Sequence, residues 1–265
     1  MRPAESESFR RVPEVACALR QFDPLLRAQK LWEDHDLDWT YGNILIGLAG
    51  SYGTNGNHAK AISYANQAVD FFDHLPSKEP VPAVDHNLGI ALIVRGFAFW
   101  LTGDIGHSLA DLNRAVELLK TSGDEARLAE AYYKRSGCIT RLAAIQAAAH
   151  VHVLYLAPSP FMPCLIPVAN WLQERLKQQI TRAKLEAALG DANESYRHYE
   201  VAGDELGLMQ AKAQVVSCYS QVGDRANAHR AIQAAIDLGT KAKSTDPRIK
   251  ALLETLRRLE PGLRN

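Results

Sequence analysis

A glycine followed by aspartate or asparagine recurs along this chain, and no other feature constrains the fold as strongly. Glycine tolerates the left-handed conformation that ends a helix, and Asp or Asn is a favourable N-cap for the next helix. Each such pair therefore predicts a tight turn between two antiparallel helices. The pairs are Gly56-Asn57, Gly103-Asp104, Gly190-Asp191 and Gly223-Asp224.

Residues of similar size recur at fixed distances from these four glycines. A small residue stands five positions after each glycine, an alanine stands twelve positions after, and an aromatic stands four positions before three of them. Small residues let two helices approach closely, and an aromatic ring fills the space beside them. The residues are Ala61, Ser108, Ser195 and Ala228 at the first distance, Ala68, Ala115, Ala202 and Ala235 at the second, and the aromatics Tyr52, Phe99 and Tyr219.

Three segments carry these features together and resemble the core of the tetratricopeptide repeat. They read LAGSYGTNGNHAKAISYANQAV, RGFAFWLTGDIGHSLADLNRAV and VVSCYSQVGDRANAHRAIQAAI. The resemblance implies an all-α fold: a right-handed superhelical solenoid of antiparallel helix pairs, with about five to six pairs and a C-terminal capping helix. The uneven glycine spacing is similar to that of longer, degenerate members of the family, and AEAYYKRSGCITRLAAIQAAA is the core of a further unit.

Amphipathic periodicity places the helices of these units. We expect an N-terminal helical segment or cap over residues 1–38, repeats over 39–245 with an irregular proline-rich insertion at 158–167, and a capping helix and tail over 246–265. The expected helices are 13–21 with 24–35, 40–55 with 57–74, 84–102 with 104–121, 125–142 with 144–157, 168–189 with 191–202, 205–222 with 224–242, and 247–259 alone.

The charge balance narrows the classes of partner. Lysine and arginine number 30 and aspartate and glutamate number 30, so no global field favours nucleic acid or an anionic membrane. No segment has the composition of a signal peptide or reaches the roughly 20 apolar residues of a membrane span. We therefore expect a cytoplasmic protein. Its four cysteines, which form no CxxC pair, are expected to be reduced.

In a repeat solenoid the first helices of successive pairs line a concave groove, and counting from the shared glycines gives its side chains. The groove would run from apolar to basic to amide-rich, and would hold a protein or peptide segment with an apolar anchor followed by acidic residues. Phe97 and Trp100 could equally belong to the core between repeats. The expected contact residues are Asn43, Ile46, Ile93, Phe97, Trp100, Lys134, Arg141, Lys177, Lys184 and Gln214.

No catalytic, phosphate-binding or dinucleotide-binding motif occurs in the sequence. His150 and His152 lie two residues apart, so on a helix they would point to different faces and could not share a metal ion. We therefore expect a non-catalytic scaffold or adaptor with no cofactor and no metal. A peptide- or ligand-sensing module of a signalling or transcription-control system is the alternative, and an enzyme built on a repeat scaffold is a third class.

Overall fold

The computed structural model describes residue 26 and the ranges 39–75, 81–148, 166–241 and 246–263, and these residues form helices and turns without a strand. The chain is therefore all-α over the ranges described, as predicted. The helices are α1 Trp39–Thr54, α2 His58–Asp73, α3 Val81–Thr102, α4 Ile105–Leu119, α5 Glu125–Ala148, α6 Ile166–Ala202, α7 Glu205–Val222, α8 Arg225–Lys241 and α9 Pro247–Leu259, followed by a short 3-10 helix, Glu260–Leu263.

Glycines in the left-handed region separate successive helices. Five have φ between 70° and 87°. The residue after each glycine then caps the next helix, because its side chain accepts a hydrogen bond from the backbone N–H three residues further on. The glycines are Gly56, Gly103, Gly123, Gly203 and Gly223.

An aromatic residue precedes four of these turns by four positions, and its carbonyl helps to close them. The backbone N–H of Asn57 donates to the carbonyl of Tyr52 at 2.9 Å, and that of Asp104 donates to the carbonyl of Phe99 at 2.9 Å. Tyr199 and Tyr219 accept the same bond at 3.1 and 3.0 Å before their own glycines. This is the Schellman arrangement, which satisfies carbonyls at a helix end.

Within the helix pairs, a glycine on one helix faces a large side chain on the other. A Cβ at Gly89 on α3 would come within 2.8 Å of the Cγ of Leu119 on α4. Gly42 on α1 meets Phe72 on α2 in the same way. In the pair α7–α8 the glycine is on the second helix, so a Cβ at Gly239 would lie 2.7 Å from the Cε of Met209. The helices therefore pack as adjacent pairs of repeated design.

One predicted turn is wrong. Gly190 and Asp191 lie inside α6, a continuous helix of 37 residues, where the sequence pattern places a break. Asp191 does not cap a helix, because its carboxylate is held by Arg135. The turn at Gly203, by contrast, lies where the predicted helices 191–202 and 205–222 meet, and it has its aromatic, Tyr199, four positions before it. At the equivalent position before Gly190 stands Glu186, and this missing aromatic was the available sequence signal.

A second expected break, after residue 142, is also wrong, because α5 continues to Ala148. The sequence there is rich in alanine and contains neither glycine nor proline, so nothing in it ends a helix. The predicted helices 13–21 and 24–35 lie outside the described residues, apart from Leu26. The insertion 158–167 does so as well, apart from the first residues of α6.

The chain divides into two compact units, Met1–Lys134 and Arg135–Asn265, and the division falls within α5. The core of the first unit is built from α1 to α4 and the start of α5, and includes Leu45, Leu92 and Leu119. The core of the second unit includes Met209 and Ile232. The pairs α1–α2 and α3–α4 therefore bury apolar side chains in the core of the first unit, and the pair α7–α8 does so with α9 in the second.

One described helical segment, Ala83–Thr102, is long and apolar enough to cross a membrane by length and composition, with a mean hydropathy of 1.2. The sequence inspection did not anticipate this. Leu88, Leu92 and Ile93 in this segment are buried in the core of the first unit.

Candidate functional site

An aromatic ledge lies on α3 in the first unit. The rings of Phe97 and Trp100 are stacked, with centroids 5.7 Å apart and an interplanar angle of 12°. Phe97 is 36% exposed, which is unusual for a large apolar side chain beside a core. The Nζ of Lys134, on α5, lies 4.0 Å from the centroid of the Phe97 ring, a distance suited to a cation–π interaction. Phe97, Trp100 and Lys134 are hereafter called the aromatic ledge.

Lys134 is also paired with a carboxylate. Its Nζ lies 3.3 Å from Oε1 of Glu130, and Arg127 donates to Oε2 of the same carboxylate at 2.9 Å. Burial alone would raise the pKa of Glu130, but the charges of Lys134 and Arg127 outweigh it and hold that pKa below its ordinary value. The ammonium group of Lys134 thus already has an acidic neighbour, Glu130, on its own helix.

An ion pair formed by Arg95, two residues before Phe97 on α3, joins α3 to α4. The guanidinium of Arg95 donates two hydrogen bonds to the carboxylate of Asp111, each of 2.7 Å. Arg95 also donates to the side-chain oxygen of Asn66 at 3.4 Å. Because a bidentate pair fixes both direction and distance, it holds the helix that presents Phe97 and Trp100.

The other residues predicted in the first unit lie at different depths. Ile93 is 1% exposed and is part of the core, so the prediction that it contacts a partner is wrong. Ile93 and Phe97 are one turn apart on nearly the same side of α3, but the neighbouring helices cover Ile93 and leave Phe97 partly exposed. Ile46 is half-buried against the same core, and Asn43 is half-buried on α1. The described contacts bring Phe97, Trp100 and Lys134 together and do not connect Asn43 with them.

The residues predicted in the second unit are not arranged as expected. Arg141 is half-buried in α5, and the amide of Gln214 donates to the hydroxyl of Thr140 at 3.1 Å. Lys184 donates to Oε1 of Gln146. Lys177 lies in α6, with its side chain outside the described residues. Lys177 and Lys184 were placed in the groove on the assumption of a turn at Gly190, so the continuous α6 removes that basis.

Sequence reasoning missed a polar cluster inside the second unit. The hydroxyl of Thr140 lies 3.7 Å from Sγ of Cys218, and Ser136 donates from its side chain to the carbonyl of Ala188 at 2.6 Å. Burial raises the pKa of the Cys218 thiol, although its polar neighbours act in the opposite direction. A buried thiol with a raised pKa is a poor nucleophile, so this cluster is suited to packing.

Two bidentate pairs, Arg95–Asp111 and Arg135–Asp191, occupy equivalent places in successive helix pairs. Both guanidinium groups donate two bonds of 2.7 Å. The residues of the first pair are separated by 16 positions and those of the second by 56, so the second has 40 more residues between its partners. Arg95 and Asp111 lie at equal distances on either side of the turn at Gly103, and this symmetry could have predicted their pairing. The insertion at 158–167 lengthens the sequence between Arg135 and Asp191 and hides the same relation there.

Among the described residues, no group of three or more His, Cys, Asp or Glu side chains is placed to hold a metal ion. His150 and His152 lie outside the described residues.

No family model matches the chain, and no curated protein matches it. Among solved structures, it is similar to the crystal structure of BtubC (BKLC) from P. vanneervenii. The TM-score is 0.55 at 13% sequence identity, and the similarity covers 96% of this chain and 93% of that one. At this level of identity the similarity concerns the fold alone, and it agrees with an all-helical, repeat-like chain.

Proposed function

We propose that this chain is a non-catalytic, cytoplasmic interaction module of the tetratricopeptide type, whose stacked helix pairs form a right-handed solenoid. Its role is to hold a segment of a partner protein. The glycine turns with their preceding aromatics, and the glycine packed against a large residue in the pairs α1–α2, α3–α4 and α7–α8, support this repeat assignment. Such a scaffold presents an extended surface and requires no reactive group.

The observation that carries the proposal is the exposure of Phe97 on the aromatic ledge. Phe97 is 36% exposed, although it stands one turn from the buried Ile93. Aromatic side chains in partly desolvated positions are the usual anchors of protein interfaces. The exposed part of the Phe97 side chain, beside Trp100 and Lys134, would receive an apolar side chain of the partner.

Lys134 gives this anchor site its electrostatic character. A carboxylate of the partner, placed next to its apolar residue, would share the ammonium group of Lys134 with Glu130. Lys134 is 18% exposed and is held over Phe97, so little of its side-chain freedom remains to be lost on binding. The predicted partner segment therefore has an apolar anchor followed by an acidic residue.

The test is an affinity capture from the native lysate with the wild-type chain and a Phe97→Ala variant, followed by quantitative mass spectrometry. We expect the variant to lose a protein that the wild type retains. Phe97→Ala also removes partly buried surface and should cost about 2 kcal/mol of stability, below the range for fully buried aromatics. A control of similar stability is therefore needed.

Val69→Ala supplies that control, because Val69 is 2% exposed in the core of the same unit and its removal leaves the aromatic ledge unchanged. Retention by Val69→Ala with loss by Phe97→Ala would support an interface at the ledge. Equal loss in both variants would trace the effect to stability, and no captured protein at all would contradict the proposal.

A further inference from the structure

The helix pair α5–α6 carries an extension that the equivalent pair α3–α4 lacks. The ion pairs Arg95–Asp111 and Arg135–Asp191 mark equivalent positions in the two pairs of helices. After Arg95, α3 continues for seven residues to Thr102, whereas after Arg135, α5 continues for thirteen residues to Ala148. On the second helix the difference is larger. α4 begins six residues before Asp111, and α6 begins 25 residues before Asp191. Residues 143–148 and 166–184 therefore extend past the end of the equivalent pair, and we call them the arm.

The two helices of the arm meet at its base. Lys184 on α6 donates to Oε1 of Gln146 on α5. Ile180 precedes Lys184 by one helical turn and shares its side of α6, so it lies on the side turned toward α5. Across the equivalent end of the pair α3–α4 there is only the tight turn at Gly103. The arm thus stands in the place of a turn.

Large apolar side chains of the arm are exposed on both helices. Ile145 on α5 is 49% exposed and Ile180 on α6 is 45% exposed. In α6 the neighbouring side chains Gln178, Gln179 and Arg182 are exposed as well. Two half-exposed isoleucines on adjacent helices, outside the hydrophobic core cluster of their unit, are apolar surface that a third helix could cover.

The arm is locally basic in a chain whose charges balance overall. Residues 175–184 read RLKQQITRAK and contain four basic residues and no Asp or Glu. Lys184 donates its hydrogen bond to the neutral amide of Gln146, and that bond does not compensate the positive charge of Lys184. Arg182 is paired with Glu186 at 3.0 Å in an exposed i,i+4 pair, an arrangement that stabilises little and is readily exchanged.

We propose that the arm is a docking surface for an acidic amphipathic helix of a partner protein. Its apolar stripe covers Ile145 and Ile180, and a flanking carboxylate pairs with Lys184, which shares the side of α6 that carries Ile180. Charge complementarity selects this occupant, since a basic helix would be repelled by residues 175–184 and a neutral helix would gain nothing from them. All of these residues belong to the second unit, so the inference is independent of the aromatic ledge.

The test is a display selection on the full-length chain with a library of helical peptides of about 18 residues, or five turns. The selection is repeated on an Ile145→Ser/Ile180→Ser variant and on a Lys184→Glu variant. Val201→Ser is the matched control, because Val201 is 73% exposed, lies in α6 and is outside the arm. All four side chains are at least partly exposed, so circular dichroism and melting temperature should stay close to those of the wild type.

We expect the selected peptides to be acidic and to bind the two arm variants at least about tenfold more weakly, the loss expected for an apolar anchor or its paired charge. Val201→Ser should bind them as the wild type does. Replacing glutamate by lysine in a selected peptide should abolish binding to the wild type, a result that needs no protein variant.

Three results would overturn the proposal. The first is a selection without any peptide that depends on the arm. The second is a set of arm-dependent peptides that is neutral or basic. The third is arm-dependent sedimentation with phosphatidylserine–phosphatidylcholine vesicles in the absence of peptide binding, which would assign the arm to a lipid surface.

Discussion

Replacing Gly190 and Gly223 separately by alanine should change the stability of the second unit in opposite directions. Both glycines are exposed, both are followed by aspartate, and an added Cβ at either would meet no atom within 4 Å. The two substitutions therefore add the same methyl group without a change in packing. They differ only in the backbone conformation that alanine must adopt.

The magnitudes follow from that conformation. Gly190 lies in the interior of α6, where alanine is favoured over glycine by about 0.5–1 kcal/mol. Gly223 has a φ of 82°, and a left-handed residue other than glycine costs about 1–2 kcal/mol. In a unit of this size, about 1 kcal/mol shifts the melting temperature by roughly 2–8 °C.

Urea denaturation followed by circular dichroism gives the free energy of unfolding of each variant. We expect Gly190→Ala to be more stable than the wild type and Gly223→Ala to be less stable, with unchanged dependence on urea. A loss of stability in Gly190→Ala similar to that in Gly223→Ala would refute the reasoning. It would place Gly190 in a turn, and with that turn the arm would disappear.

Three further predictions concern single groups. Asp191→Asn should lower the free energy of unfolding, measured by the same urea titration, by about 3 kcal/mol, because it leaves the largely buried guanidinium of Arg135 without its carboxylate. The double variant Arg135→Met/Asp191→Leu should recover most of that loss, because it removes both charges. Glu130 has a lowered pKa in the folded state, so its contribution to the free energy of unfolding is full at neutral pH and is lost as the pH falls below the ordinary pKa of 4.5. The difference in unfolding free energy between the wild type and Glu130→Gln should therefore shrink over that pH range. A difference that stays constant would contradict the lowered pKa. In a variant whose only cysteine is Cys218, a thiol reagent should react far more slowly with the folded chain than with the chain in urea, because that thiol is buried and its pKa is raised.

The sequence predicted most of the helix boundaries, because their determinants are local. At Gly223 the glycine, the capping Asp224 and the preceding Tyr219 lie within six residues of one another, and helices 205–222 and 225–241 begin and end close to the predicted positions. Gly190 and Asp191 present the same dipeptide with a different outcome. There the aspartate interacts with Arg135, 56 positions away, which no local pattern shows; locally, only the missing aromatic four positions before Gly190 marks the difference.

The candidate site could be predicted in part for the same reason. Counting along the predicted repeats put Phe97 and Trp100 of one repeat and Lys134 of the next into one set, and Phe97 does lie in contact with both of the other side chains. The same counting could not separate Ile93 from Phe97, because they differ by one helical turn and the burial of each is decided by the neighbouring helices. The pairing of Lys134 with Glu130 was available from their i,i+4 spacing.

Site-specific photocrosslinking at position 97 tests the central claim most directly. p-Benzoylphenylalanine in place of Phe97 keeps an aromatic ring on the ledge, and the same group in place of the exposed Val201 serves as the control position. On irradiation in the native lysate, we predict a crosslink from position 97 to a discrete protein, at a peptide with an apolar residue next to an acidic one, and no such crosslink from position 201. Identical crosslinks from both positions, or none from position 97, would contradict the account.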